Sequence, residues 1–259
     1  MRLLRAVGYV ALFLLVQIIA GVLLDALGFS PNDVSGTDVH LRDVLVLGML
    51  ELLVLAGAVL FTHLRGGVRG LGVELRGARQ ARGWWQLAPS GLLVIAPSFA
   101  FALADDPSTV ITRTSVATLA AFVGLAVLIG ITEELWFRGL VMASLDPQRS
   151  PWLAVFGSAI LFGLPHLLSS NAGVTAATAL NAAAVTLAIA IPFACVRVAS
   201  RAIVPMIGWH AAIDAWAFLH TSSITAEGTP DISDASVALV VPALVAAGYI
   251  LWLNRRITQ

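Results

Sequence analysis

Thr132-Glu133-Glu134-Leu135-Trp136-Phe137-Arg138 sits inside an apolar run, roughly residues 116–145, that is otherwise free of ionisable side chains. A helix crosses a hydrocarbon core of about 30 Å with about 20 residues at 1.5 Å each, and this run is long enough to do so. Two carboxylates and a guanidinium at that depth are costly, so by default they mark a functional site. On a helix, Glu134 and Arg138 stand i, i+4 and can pair on one face. The pairing would neutralise both in a low dielectric and spare Arg138 from standing alone. Glu133 is one residue earlier, about 100° around the helix, so it faces elsewhere and lacks that local partner.

The rest of the chain extends this reading. Of its 259 residues, 59% are hydrophobic and 12% charged, with a mean hydropathy of +0.91. A soluble domain carries about 25% charged and about 45–50% apolar residues, so the apolar excess has to face lipid. This excludes a water-soluble globule, a disordered chain and a fibre. Fifteen acidic residues balance fifteen basic ones, all of them Arg, so no net charge points to nucleic acid. The single Cys195 excludes an intrachain disulfide framework. Eight stretches are long enough to span: roughly 5–24, 43–62, 86–104, 116–145, 152–169, 177–196, 202–220 and 236–253. The first is longer than a signal-peptide core and is followed by Asp25 where small residues are expected, so it reads as a retained helix. The expected fold is an all-α polytopic membrane protein of about eight transmembrane helices, with the catalytic core in helices four to seven.

The Arg distribution tests that count independently. With alternating spans, twelve Arg fall on one side, from Arg2 and Arg5 through Arg65, Arg149, Arg197 and Arg201 to Arg256. Only Arg42 and Arg113 fall on the other, and Arg138 lies within a span. Cytoplasmic loops carry the Arg excess, so both termini are expected in the cytoplasm. The one long polar connection, 63–85, holds five Arg and ends in Trp84–Trp85, and reads as a cytoplasmic loop resting on lipid. The chain then divides into an N-terminal three-helix membrane region, 1–114, a core, 115–220, and a C-terminal transmembrane helix, 221–259.

Other ionisable groups recur in later spans. Phe162-Gly163-Leu164-Pro165-His166 lies in span five, and His210-Ala211-Ala212-Ile213-Asp214 in span seven. His210 and Asp214 are i, i+4, and a carboxylate one turn from a histidine can orient its ring. Counted from the cytoplasmic span ends, Glu133 lies about 18 Å deep, His166 about 22 Å and His210 about 14 Å. Three helices therefore bring Glu, His and His to comparable depth, the geometry of one buried polar site. A network that merely ties helices together is the alternative, but interhelical polar contacts average well under about 1 kcal/mol, a poor return for burying two carboxylates. Glu51, alone in span two, reads as a packing or cavity residue, and Trp136 and Trp209 as walls of the site.

Glu-Glu-x-x-x-Arg, Phe-x-x-x-His and His-x-x-x-Asp, in order and each in its own hydrophobic span, resemble the CPBP family of intramembrane proteases. That family takes in type II CAAX prenyl endopeptidases and bacteriocin-processing and immunity proteins. The resemblance covers about residues 115–220 and implies an eight-helix fold. It implies that Glu133 and His166 activate a water while His210 and Asp214 stabilise the oxyanion, with Glu134 and Arg138 in support. The family position of Asp214 is Asn or Asp, and a carboxylate donates to an oxyanion only when protonated. The implied partners are the bilayer and a peptide or protein substrate, with or without a lipid anchor.

The chemistry stands without the family. Peptide hydrolysis needs a base for water and donors for the tetrahedral oxyanion, and desolvation makes a carboxylate a stronger base near neutral pH. Glu133, His166 and His210 could alternatively hold Zn²⁺ with water in the open position, as the family's usual description as metalloproteases implies. No His-Glu-x-x-His run is present to demand zinc. A proton-coupled transporter would also place Glu, His and Arg in the bilayer, but it predicts matching interrupted helices in two halves, which the sequence lacks. A catalytically silent scaffold or immunity protein is the remaining alternative.

The Arg partition yields a direct test. In a Cys195→Ser background, single cysteines at Ser35 and Arg76 are expected to label from opposite sides of the membrane. Labelling from the same side would refute the eight-span count.

Overall fold

A computed structural model describes residues 1–29, 41–67, 115–168 and 176–221, together with Val245, Ala247 and Gly248. Among these residues all regular structure is helical. Helix α1 is Arg2–Ala26, α2 Leu41–Leu64, α3 Val116–Ser144, α4 Pro151–Leu168, α5 Ala176–Ser200 and α6 Val204–Thr221. These match spans one, two, four, five, six and seven of the sequence reading. Span 86–104, the loop beyond residue 67 and nearly all of 236–253 lie outside the described residues. Among the described residues, three helices, Arg2–Ala26, Val44–Leu64 and Val116–Ser144, are long and apolar enough to cross a membrane.

Local chemistry sets the helix ends. Helix α1 closes on Gly28 at φ +79°, where Phe29 N–H donates to Leu24 O and Gly28 N–H to Asp25 O. This is the glycine-centred closure that satisfies the last carbonyls of a helix. Ser115 caps α3 by accepting from Thr118 N–H at 3.1 Å. Pro151 opens α4, where its missing N–H costs nothing. Asp146, at φ +58°, turns the chain between α3 and α4, and its carboxylate pairs with Arg2 of α1 at 3.0 Å.

Helix α3 is not uniform. Val116–Glu134 is α-helical, Leu135–Val141 widens to a π-helix, and Met142–Ser144 returns to α. The sequence reading took this stretch as one regular helix. Such widened turns are rare and concentrate at functional sites, and this one begins directly after Glu134.

Helix α3 packs against α2 and α6, α4 against α5, and α1 against α2 and the π-helical segment. A chain of edge-on rings runs through the core: Phe13 of α1 against Trp136 and Phe137, then Phe137 against Phe162 of α4 at 4.8 Å. Trp136 is fully buried and donates its indole N–H to Val54 O of α2 at 3.3 Å. It therefore packs toward α1 and α2, and the expectation that it walls the site is replaced by a core role. Leu15, Ile18, Ile19 and Val22 of α1 stay exposed, as expected of a lipid-facing surface.

Helix α6 passes close to α3 at Gly130. A Cβ there would lie 3.0 Å from Ile207 O and 3.3 Å from Ala211 N, both backbone atoms that cannot yield separately. Small residues at such crossings let membrane helices approach, and this one lies a turn from Glu133 and beside His210. Gly130→Ala should force the helices apart at an overpacking cost of about 1–3 kcal/mol. Gly124, on the same helix with nothing within 4 Å of its Cβ position, is the control. The expected result is a lowered melting temperature for Gly130→Ala and none for Gly124→Ala; equal stability would refute the close-packing account.

Candidate active site

The spacing argument for α3 holds in detail. Arg138 Nη1 donates to Glu134 Oε1 at 2.9 Å, and both side chains are essentially inaccessible. Arg138 Nη2 reaches Ala190 O of α5 at 3.4 Å, and its guanidinium lies 4.4 Å over the Phe162 ring and 5.4 Å over Phe193. A desolvated guanidinium gains most from aromatic faces, so the cation is held on every side. Arg197 Nε of α5 donates to Arg138 O at 3.2 Å. Read from sequence as a cytoplasmic-side loop residue, Arg197 instead lies within α5 and is buried, because α5 runs on to Ser200.

Glu134 serves a second partner that the spacing did not reveal. His210 Nδ1 lies 2.9 Å from the same Oε1, joining α6 to α3. A carboxylate oxygen facing both a guanidinium and an imidazole acts as acceptor to both, so Nδ1 carries a hydrogen. The other ring nitrogen, Nε2, points between Glu133 Oε2 and Asp214 Oδ2, at 3.5 Å from each. Glu133 keeps 14% exposure and Asp214 22%, whereas Glu134 has none. The two adjacent glutamates thus divide: Glu134 is locked in the packing and Glu133 faces reachable space.

His166 of α4 donates from Nδ1 to Phe162 O at 3.0 Å, because a carbonyl can only accept. In the neutral ring this leaves Nε2 as an acceptor. Its ring packs 5.1 Å from Phe162, which itself lies edge-on to His210 at 5.9 Å. One phenylalanine therefore separates and orients the two histidines. The sequence reading set Glu133 against His166, whereas the contact that forms is between Glu133 and His210. Trp209 stacks beside Phe193, which contacts His210 in turn.

Glu51 of α2 also belongs here. It is buried, within electrostatic range of Glu133, Asp214 and His210. The depth count that grouped the other residues would have found it: Leu64, the end of α2, lies 13 residues on, so Glu51 is about 20 Å deep. Among the described residues no three His, Cys, Asp or Glu side chains converge as a metal ion requires. The zinc set Glu133, His166 and His210 is therefore not drawn together as a ligand cage.

No curated protein and no solved structure matches the chain. Residues 114–216, less than half of the chain, match the family model for type II CAAX prenyl endopeptidases, Rce1-like.

Proposed function

We propose that the protein is an intramembrane endopeptidase that hydrolyses a peptide bond of a membrane-associated peptide or protein, using Glu133 and histidine rather than a metal. The observation that supports this most is the pair of neighbouring glutamates in different settings: Glu134 fully buried and held through Oε1 by Arg138 and His210, Glu133 partly exposed beside Nε2 of the same ring. A base must reach water, and its orienting partners must not move.

In this reading Glu133 takes a proton from a water as the water oxygen bonds to the scissile carbonyl carbon. His166 Nε2 accepts the water's other hydrogen and so aims its lone pair. The carbonyl oxygen becomes an oxyanion, and His210 Nε2 donates to it when the ring carries both hydrogens. Glu134 and Asp214 beside that ring supply the counter-charge a cationic imidazole needs in a low dielectric while Glu133 holds the water's proton. The C–N bond then breaks, and the leaving amine takes the proton held by Glu133. Asp214, at the Asn/Asp position of the motif, acts here through His210, 3.5 Å away. The reading includes eight spans with both termini cytoplasmic, and a substrate that reaches the site through lipid.

Two substitutions separate the glutamates. Removing a base typically costs about 10²–10⁴ in rate, so Glu133→Gln should abolish cleavage in liposomes while leaving a folded, monodisperse protein. Glu134→Gln should leave Arg138 buried without its counter-charge, at a cost of about 3–5 kcal/mol, and should appear as poor expression or a lowered melting temperature. A stable but inactive Glu134→Gln beside an active Glu133→Gln would reverse the two roles. Normal cleavage by both would refute the protease reading.

Metal dependence is tested separately. Cleavage is expected to survive dialysis against EDTA and 1,10-phenanthroline. Loss under chelation with recovery on added Zn²⁺ would replace the metal-free mechanism with a metal-dependent one.

A further inference from the structure

Helix α5 turns one stripe toward the widened segment of α3. Ala190, Phe193 and Arg197 stand i, i+3 and i+7, the spacing of one helix face. Ala190 O accepts from Arg138 Nη2 at 3.4 Å, the Phe193 ring lies 5.4 Å from the guanidinium, and Arg197 Nε donates to Arg138 O at 3.2 Å. The side chain of Arg138 and its own carbonyl are therefore both held from α5. No step above uses Arg197, although a guanidinium 2% exposed inside a helix bundle is costly to keep.

The carbonyl it takes is a particular one. In a regular α-helix Arg138 O would accept from Met142 N–H, four residues on. At the end of the π-helical segment the backbone amides donate instead to Phe137 O and Gly139 O and pass over Arg138 O. A widened turn skips one carbonyl in this way, because its bonds reach five residues back rather than four. In hydrocarbon a carbonyl without a donor is strongly unfavourable, so the widened turn needs a donor from elsewhere. Arg197 supplies it. Without that donor the turn gains by closing to α, with Met142 N–H moving onto Arg138 O. Closure shifts the helix by one residue, about 100°, between Glu134 on one side and Leu140 to Leu145 on the other. Leu140 and Leu145 are fixed in the core, so the glutamates would have to turn.

We propose that Arg197 is a positioning residue for the endopeptidase: it takes the carbonyl that the widened turn releases, holds that turn open, and so sets the direction of Glu133 and Glu134. The role rests on the endopeptidase reading, and it is exerted through Arg138 and α3 rather than on the substrate.

Two substitutions isolate the donor. Glutamine carries its amide nitrogen on Cδ, the carbon that carries Nε in arginine, so Arg197→Gln keeps a donor at that place without the charge. Arg197→Met ends at the same distance in a methyl group. The full-length variants are compared with the parent in liposomes on quenched peptides that the parent cleaves. Misplacing a catalytic group by about 1 Å costs up to about 10²-fold, so Arg197→Met should lower kcat by about 10–10²-fold with KM little changed. Arg197→Gln should recover most of that loss and most of any fall in melting temperature. The kcat-against-KM split and the recovery by glutamine separate positioning from bulk stability, which would lower the amount of active enzyme in both variants without regard to the donor. Full turnover by Arg197→Met, or equal loss in Arg197→Met and Arg197→Gln, would overturn the positioning role and leave the endopeptidase reading standing. Failure of the parent to cleave any peptide would overturn the endopeptidase reading and the positioning role with it.

Discussion

One oxygen atom, Glu134 Oε1, receives a guanidinium nitrogen from its own helix and an imidazole nitrogen from α6, each at 2.9 Å. Inside a bilayer there is no water to satisfy either donor if this acceptor is withdrawn, so the two contacts stand or fall together. The first fixes the face that α3 turns inward. The second fixes the tilt of the His210 ring, and with it the direction of Nε2. The close approach at Gly130 sets the helix spacing that makes both lengths possible. The reach of Glu133, one residue away, is thereby decided by a neighbour that is itself fully buried.

Much of this was legible in the sequence because the bilayer simplifies the reading. Against an apolar background each ionisable residue stands out, and counting 1.5 Å per residue converts position into depth. Glu133, His166 and His210 were grouped in this way, and the i, i+4 spacing identified the Glu134–Arg138 pair. Less accessible were features that depend on which helix lies next to which. Depth carries no information on azimuth, so the attachment of His210 to Glu134 rather than Glu133 alone was invisible, and Glu51 was set aside because it lacked a local motif. Arg197 was assigned to the cytoplasmic-side connections because the end of α5 was placed four residues early; the added turn carries it inside. The widening of α3 has no sequence signature, since it is a change of hydrogen-bond partner rather than of residue type.

The aromatic residues show how rigidity reaches the site. Phe13, Phe137 and Phe162 meet edge-on in sequence, and Phe162 then faces both histidines. Phe162 also lies under the Arg138 guanidinium. Flat rings have few rotamers and lose little entropy when packed, so they transmit position well across a crowded interior. A residue on α1, far away in sequence, thus helps to decide where the histidines stand.

The contact between Trp136 and Val54 bears on how such a protein can evolve. The indole of the Glu-Glu motif's own helix donates to a carbonyl of α2, and its faces are covered by Phe13 of α1 and Phe61 of α2. The stretch that carries the family likeness begins at residue 114, so both of those helices lie outside it. Inherited sequence and mechanical unit therefore have different borders. A recombination event that moved 114–216 alone into another membrane protein would bring the Glu-Glu motif without its buttress and leave the Trp136 indole N–H without its acceptor. Change in α1 and α2 is consequently constrained where they meet Trp136, at the Phe13 and Phe61 rings and at the Val54 carbonyl.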